Sequence, residues 1–143
     1  LRARGDRGRE RGTPRPPIVV EYRPERDGGA DPGEVVWAWV PFEEDRSQGK
    51  DRPILVVGAV GDRLAAVMLT SKPHPERTDQ IEVGSGSWDQ QARTSYAKLD
   101  RLVAVHPDRI RREGANLDRQ RFDRVVAALS ERPGWPHLRV DPI

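Results

Sequence analysis

The sequence predicts a mainly β fold with one helix, a small antiparallel barrel carrying a C-terminal helix. Three observations point there. Short apolar runs alternate with turn signals, a pattern of small barrels rather than of parallel sheets. Two of these runs, 53–60 and 63–70, flank the turn pair Gly61-Asp62, which is a hairpin signal. Late in the chain Phe122, Val125, Val126 and Leu129 recur at helical spacing.

Taken in order, residues 1–31 read as a disordered Arg/Gly/Pro-rich tail, and 32–143 as the folded domain. In the tail Arg2, Arg4, Arg7, Arg9, Arg11 and Arg15 alternate with Gly, Asp and Glu. Such a composition buries too little apolar surface to offset chain entropy. Within it, "PPIVVEYRPE" is able to pair as a short edge strand between prolines. Asp31-Pro32-Gly33 is a turn, and Val35 to Val40 is strand-like. The continuous apolar run "ILVVGAV" predicts a strand buried on both faces, and "RLAAVMLT" returns beside it. The prolines of "SKPHPERTD" make it a loop. "QIEV" is a short strand, "GSGSWDQQAR" a glycine-containing loop, and "TSYAKLDRLVAV" one or two further strands. The helix starts after Asp118 as N-cap, with Leu117 and Phe122 as a hydrophobic staple, and Pro133-Gly134 ends it.

Bulk composition excludes several classes. The chain has 143 residues, 34% of them charged, and no run near the ~18 apolar residues that span a bilayer. The first residues hold no apolar segment, so none of them reads as a secretory signal. With no cysteine, neither disulfides nor thiolate metal sites are possible, which suits a reducing compartment. Net charge is only +2, so charge alone does not mark a nucleic-acid binder. Phosphate-cradling GxxxxGK[ST], dinucleotide-binding GxGxxG and the Gly-x-Ser-x-Gly nucleophile elbow are all absent. His74, His106 and His137 have no metal-ligand spacing, so no metal or other cofactor is expected.

What remains is a set of polar residues at strand ends. Lys50 and Arg52 stand in a polar turn before "PILVV", and Thr70, Ser71 and Lys72 close the next strand. The hairpin puts Arg52 and Thr70 at one end. Lys98 and Asp100, two apart on a later strand, share a face. Metal-free RNA cleavage needs similar equipment: a base for the 2′-hydroxyl, cations for the phosphorane and an acid for the leaving oxygen. A bidentate guanidinium suits phosphorane oxygens. Each residue also has a plainer role. Arg52 fits a surface pair with Asp51, Glu43 or Glu44, and Asp100 fits one with Arg101. Thr70 fits a strand end. His74 fits a general acid or an idle loop imidazole. Trp37 and Trp39 fit core or dimer contact, and Trp88 fits either base stacking or packing. Spacing alone leaves the function open.

Together, "PGEVVWAWVPF", "SQGKDRPILVV" and "AAVMLTSK" resemble the PemK/MazF toxins of bacterial type II toxin–antitoxin systems. "KLDRLVAV" is similar to their later strand, and the helix after Asp118 to their closing helix. The resemblance covers about residues 32–130, and its Gln-Gly-x-x-Arg-Pro element is the most specific part. It implies an SH3-like barrel, usually a homodimer, shared in outline with the CcdB type. It also implies metal-independent, sequence-selective cleavage of single-stranded RNA in the bacterial cytoplasm, restrained by a cognate antitoxin. Carried over on the motif, Arg52 binds phosphate and acts as the acid, and Thr70 orients the scissile phosphate. Gln48 and Gly49 would belong to a loop over the RNA, and Lys98 and Asp100 match an acid–base Arg and Asp of one branch. Lys50, Ser71, Lys72 and Trp88 would line the RNA path. Ser47 replaces a common Glu, Lys98 replaces Arg, and the His that one branch carries after the first strand is missing. Two other readings stand beside this one: a non-catalytic barrel that binds a protein such as a topoisomerase, and an RNA-binding module served by the tail.

Overall fold

The computed structural model describes residues 15–24, 30–74, 76 and 78–143. The arginine-rich stretch 1–14, with most of the expected tail, lies outside the described residues. The strands are β1 (Ile18–Val20), β2 (Glu34–Pro41), β3 (Gly49–Val60), β4 (Arg63–Thr70), β5 (Gln80–Gly84), β6 (Ser95–Val105), β7 (Ile110–Asn116) and β8 (Val140–Pro142). One α-helix among the described residues, α1 (Arg119–Ser130), completes the set. The strands form one sheet in the order β5-β6-β4-β3-β2-β7, with β1 beside β3 and β8 beside β6. It is a mainly β, curled half-barrel with a C-terminal helix, the fold class the strand pattern predicts.

The central strand explains the architecture. β3 is twelve residues long and buries both faces in its second half. Leu55 and Val57 join a cluster with Val67, Leu69, Leu99 and the helix residues Phe122, Val125 and Leu129. Ile54 and Val56 join a second cluster with Val36, Val40, Met68, Val103 and Val105. Each large side chain so buried contributes roughly 1.5–3 kcal/mol. α1 is capped by Asp118, whose carboxylate accepts from the Arg121 N–H at 3.1 Å. Leu117 and Phe122 are both buried in the first cluster, as a staple requires. The β3–β4 turn is tight, with Val60 paired to Arg63 and Gly61 at φ 60°. A positive φ of that size is cheap for glycine.

Three differences from the strand pattern affect the site. Lys50 to Arg52 are not in a turn: β3 begins at Gly49 and pairs with β2 from Pro41↔Gly49 to Val35↔Leu55. The strand is polar there because Lys50 and Asp51 are exposed, so hydropathy does not reveal it. β6 is one strand with a bulge, since Val67 pairs Leu102 while Met68 pairs Lys98. Residues 99–101 therefore have no partners on β4; burial still alternates from Ser95 to Arg101, so Lys98 and Asp100 keep one face, and the period slips only after Arg101. At the ends, Ile18 is buried and Tyr22 donates its hydroxyl to the Leu117 carbonyl at 2.6 Å. Residues 15–24 thus pack on the domain, and the edge strand the prolines bracket is β1, paired antiparallel to the end of β3.

Candidate functional site

The site arises where two hairpins part. β3 and β4 are paired only as far as Ile54↔Met68. Beyond that rung β3 stays with β2 down to Gly49, while β4 stays with β6 down to Thr70↔Tyr96. A cleft of about 440 Å³ opens between them. Arg52 is two residues before Ile54 and Thr70 two residues after Met68, so alternation turns both to the same face. Lys98 stands opposite Met68 and shares that face. Arg52, Thr70 and Lys98 all line the cleft, with Lys50, Ser71 and Lys72 beside them.

The electrostatics are one-sided. The cleft collects the five fixed cations Lys50, Arg52, Lys72, Arg93 and Lys98 against two carboxylates, Asp51 and Asp89. Both carboxylates are committed, Asp51 to Arg111 at 3.2 Å and Asp89 to Arg93 at 2.9 Å. Hydrogen bonding from Arg93 holds Asp89 below the usual carboxylate range. Arg52 is half-buried and, among the described residues, its side chain has no ion pair or hydrogen bond. Burial, then repulsion from Arg101, lowers its pKa. Repulsion from Arg52 is the main cause lowering that of Lys50, followed by burial and Lys72. A desolvated cation without a counter-charge is costly to keep, and a bound anion would relieve it. The plainer pairing of Arg52 with Asp51 or Glu43 is not formed: Asp51 faces Arg111, and Glu43 lies 3.9 Å from Arg101.

Thr70 Oγ1 accepts a hydrogen bond from the Lys72 N–H at 3.1 Å, which ties the loop start to the strand end. His74 also lines the cleft; its N–H donates to Gln80 Oε1 at 3.1 Å, and its ring lies 4.0 Å from Glu76.

Not every expected residue converges. Asp100 is exposed in the β6 bulge and lies outside the cleft lining. Gln48 also lies outside it, with its amide donating to Asp45 at 3.1 Å. Gly49 is a β3 residue opposite Pro41, and a Cβ there would collide with the Val40 carbonyl. Trp88 forms part of the wall but is 4% exposed, so no base can stack on its face. Its indole donates to Ser95 Oγ at 3.0 Å, and its carbonyl accepts from the Trp37 indole at 3.2 Å.

Arg101, which the sequence suggests as one half of a surface pair, is only 9% exposed. It donates to the Pro41 carbonyl at 2.8 Å and to Asp141 at 2.7 Å. A signal was present: Arg101 continues the alternation of the buried Ser95, Ala97 and Leu99, so it occupies a core-facing position. Among the described residues no cluster of acidic or histidine side chains is able to hold a metal ion. No helix among the described residues is long and apolar enough to cross a membrane.

Compared with known proteins, residues 31–132 match the family model described as PemK-like, MazF-like toxin of type II toxin–antitoxin system. No curated protein matches the chain.

Proposed function

Because the chain belongs to the PemK-like, MazF-like toxins of type II toxin–antitoxin systems, we propose that it is an endoribonuclease whose catalytic centre is the cationic cleft. The family implies an antitoxin partner. The substrate is single-stranded RNA, cut selectively by sequence without a metal, in a bacterial cytoplasm and by a homodimer.

One observation carries the reading. The half-buried Arg52, without a partner among the described residues, shares a cleft with Thr70 and Lys98, and their side chains emerge from neighbouring strands. That arrangement suits a phosphodiester. Arg52 spans two non-bridging oxygens, Lys98 adds charge, and the Thr70 hydroxyl fixes the phosphate's orientation. A base removes the 2′-hydroxyl proton and the 2′-oxygen attacks phosphorus. The P–O5′ bond breaks as Arg52, the acid that the resemblance implies, gives the 5′-oxygen a proton, which the proton taken up by the base later restores, leaving 2′,3′-cyclic phosphate and 5′-hydroxyl ends. Asp51 and Asp89 are tied to arginines, and Asp100 is outside the cleft. Proton removal therefore falls to His74, whose ring lines the cleft and offers a nitrogen lone pair. Arg52 stabilises the phosphorane and faces the leaving oxygen.

The test is cleavage of a defined RNA pool in EDTA, with the new ends mapped. Wild-type protein gives cyclic-phosphate ends. Arg52→Ala reduces the rate by ~10²–10³ or more, the cost of one strong anion-stabilising donor, with an unchanged far-UV spectrum. Full cleavage by Arg52→Ala sinks the assignment. A second reading, a non-catalytic barrel that docks on a protein, draws support from Asp100 lying outside the cleft. Wild-type protein without cleavage would favour it.

A further inference from the structure

The C-terminal strand β8 lies beyond the family-matched span, which ends at residue 132. It runs parallel to β6, with Val103↔Asp141 in register. Asp141 is largely buried and receives two arginines. Arg101, in the β6 bulge, donates to its Oδ2 from Nε at 3.2 Å and from Nη2 at 2.7 Å. Arg46, in the loop joining β2 to β3, donates from Nη1 at 3.2 and 3.3 Å, and from Nη2 to the Pro142 carbonyl at 2.9 Å.

The same Arg101 Nη2 also donates to the Pro41 carbonyl at 2.8 Å. Pro41 pairs with Gly49 on the last rung of the β2–β3 hairpin. Asp141 thus fastens that hairpin at two points, through Arg101 at its last rung and through Arg46 in its connecting loop. The β3 arm so fastened carries Lys50 and Arg52 into the cleft, at the stretch where β4 no longer pairs with it. Among the described strands, β2 alone pairs with that arm. The repulsion that Arg101 exerts on Arg52 is consistent with the two guanidiniums being near neighbours.

We propose that Asp141 is a positioning residue, which through Arg101 and Arg46 holds the β2–β3 hairpin so that Arg52 faces Thr70 and Lys98 across the cleft. Its catalytic consequence rests on the nuclease reading; the mechanical part does not. Removing the buried pair as a unit, in Arg101→Met/Asp141→Leu, avoids stranding either charge and leaves net charge unchanged. Amide hydrogen exchange of residues 49–52 in the full chain is expected to quicken at least tenfold, with α1 unchanged. On a single-stranded RNA oligonucleotide, kcat falls at least tenfold while KM moves less than twofold. Asp141→Glu restores part of kcat. Arg46→Gln, an exposed change that spares the buried pair, gives the same exchange effect at about threefold, and it decides the matter should the double variant not fold. Unchanged exchange at 49–52 in Arg46→Gln, or in a folded double variant, overturns the proposal. Faster exchange in a protein whose wild type never cuts RNA upholds the positioning and sinks the nuclease reading, so the two fail separately.

Discussion

At Thr70 a single hydroxyl has two duties. Its oxygen accepts from the Lys72 N–H at 3.1 Å while its proton stays free for a phosphate oxygen. Thr70→Ser keeps both and is expected to stay within about threefold of wild-type cleavage. Thr70→Val keeps the shape and loses both, so kcat is expected to fall ~10²-fold, in the range for one lost transition-state donor; an oligonucleotide cleavage assay checks the pair. Arg52 was legible in the sequence as a polar residue leading a buried run, though it lies inside β3 rather than at its end, and Thr70 as the end of β4. Their convergence was legible too, because a hairpin turn at Gly61-Asp62 fixes which ends meet. Asp100 shares the face of Lys98, as alternation implies, yet it lies in the stretch 99–101 that β4 does not pair and outside the cleft lining, which spacing alone does not reveal. Trp88 was left between stacking and packing, since a tryptophan in a Gly/Ser loop looks the same in sequence whether its indole is free or bonded to Ser95. Asp141 and Arg101 lie forty residues apart, and no local pattern joins them.

At the scale of elements, the hairpin β2–β3 is the piece on which the site depends. Gly49 sits where a side chain would run into the Val40 carbonyl and the Pro41 backbone. Backbone yields less than a flexible side chain, so Gly49→Ala is expected to destabilise the fold by ~1–3 kcal/mol, as overpacking does. Urea denaturation measures it, and a midpoint equal to wild type would show that the hairpin end is looser than described. β3, β4 and α1 were legible because their apolar residues declare a period and their turns are marked. β7 and β8 were not. "IRREGAN" is polar and pairs only with β2 among the described strands, and "VDP" is three residues long. Such strands are held by a neighbour's ladder, and the neighbour is not visible from within the segment.

For the whole molecule, charge placement matters more than net charge. The net of +2 conceals a cleft with four side-chain cations that have no partner among the described residues, Lys50, Arg52, Lys72 and Lys98. If each meets one phosphate, log K for an RNA oligonucleotide falls with log salt at a slope of about −3, at ~0.7 per single-strand phosphate. Arg52→Ala should make the slope shallower by ~0.7, and fluorescence anisotropy across a salt series reads both. Acid stability follows from Asp141. Burial, its largest single influence, pushes the carboxyl up; hydrogen bonds from Arg101 and Arg46 and the attraction of both guanidiniums outweigh it, so the net shift is downward from 3.8. A depressed carboxyl stabilises the fold fully above its unfolded value and loses that contribution as pH falls through the lower, folded value. Thermal melting is therefore expected to drop steeply below pH 3.8 in wild type and less steeply in Asp141→Asn, whose amide does not titrate. Parallel acid limbs in the two proteins would refute the role.

The two short strands that bracket the matched span have a practical corollary. Trimming the gene to residues 31–132 would strip Ile18 and Leu138 from the apolar interior. The same cut would leave a guanidinium at position 101 in a dry setting with only the exposed Glu43, 3.9 Å away, as counter-ion. Such a fragment would be expected to clump on expression and to be mistaken for a dead enzyme, when its fault would lie in where the scissors fell.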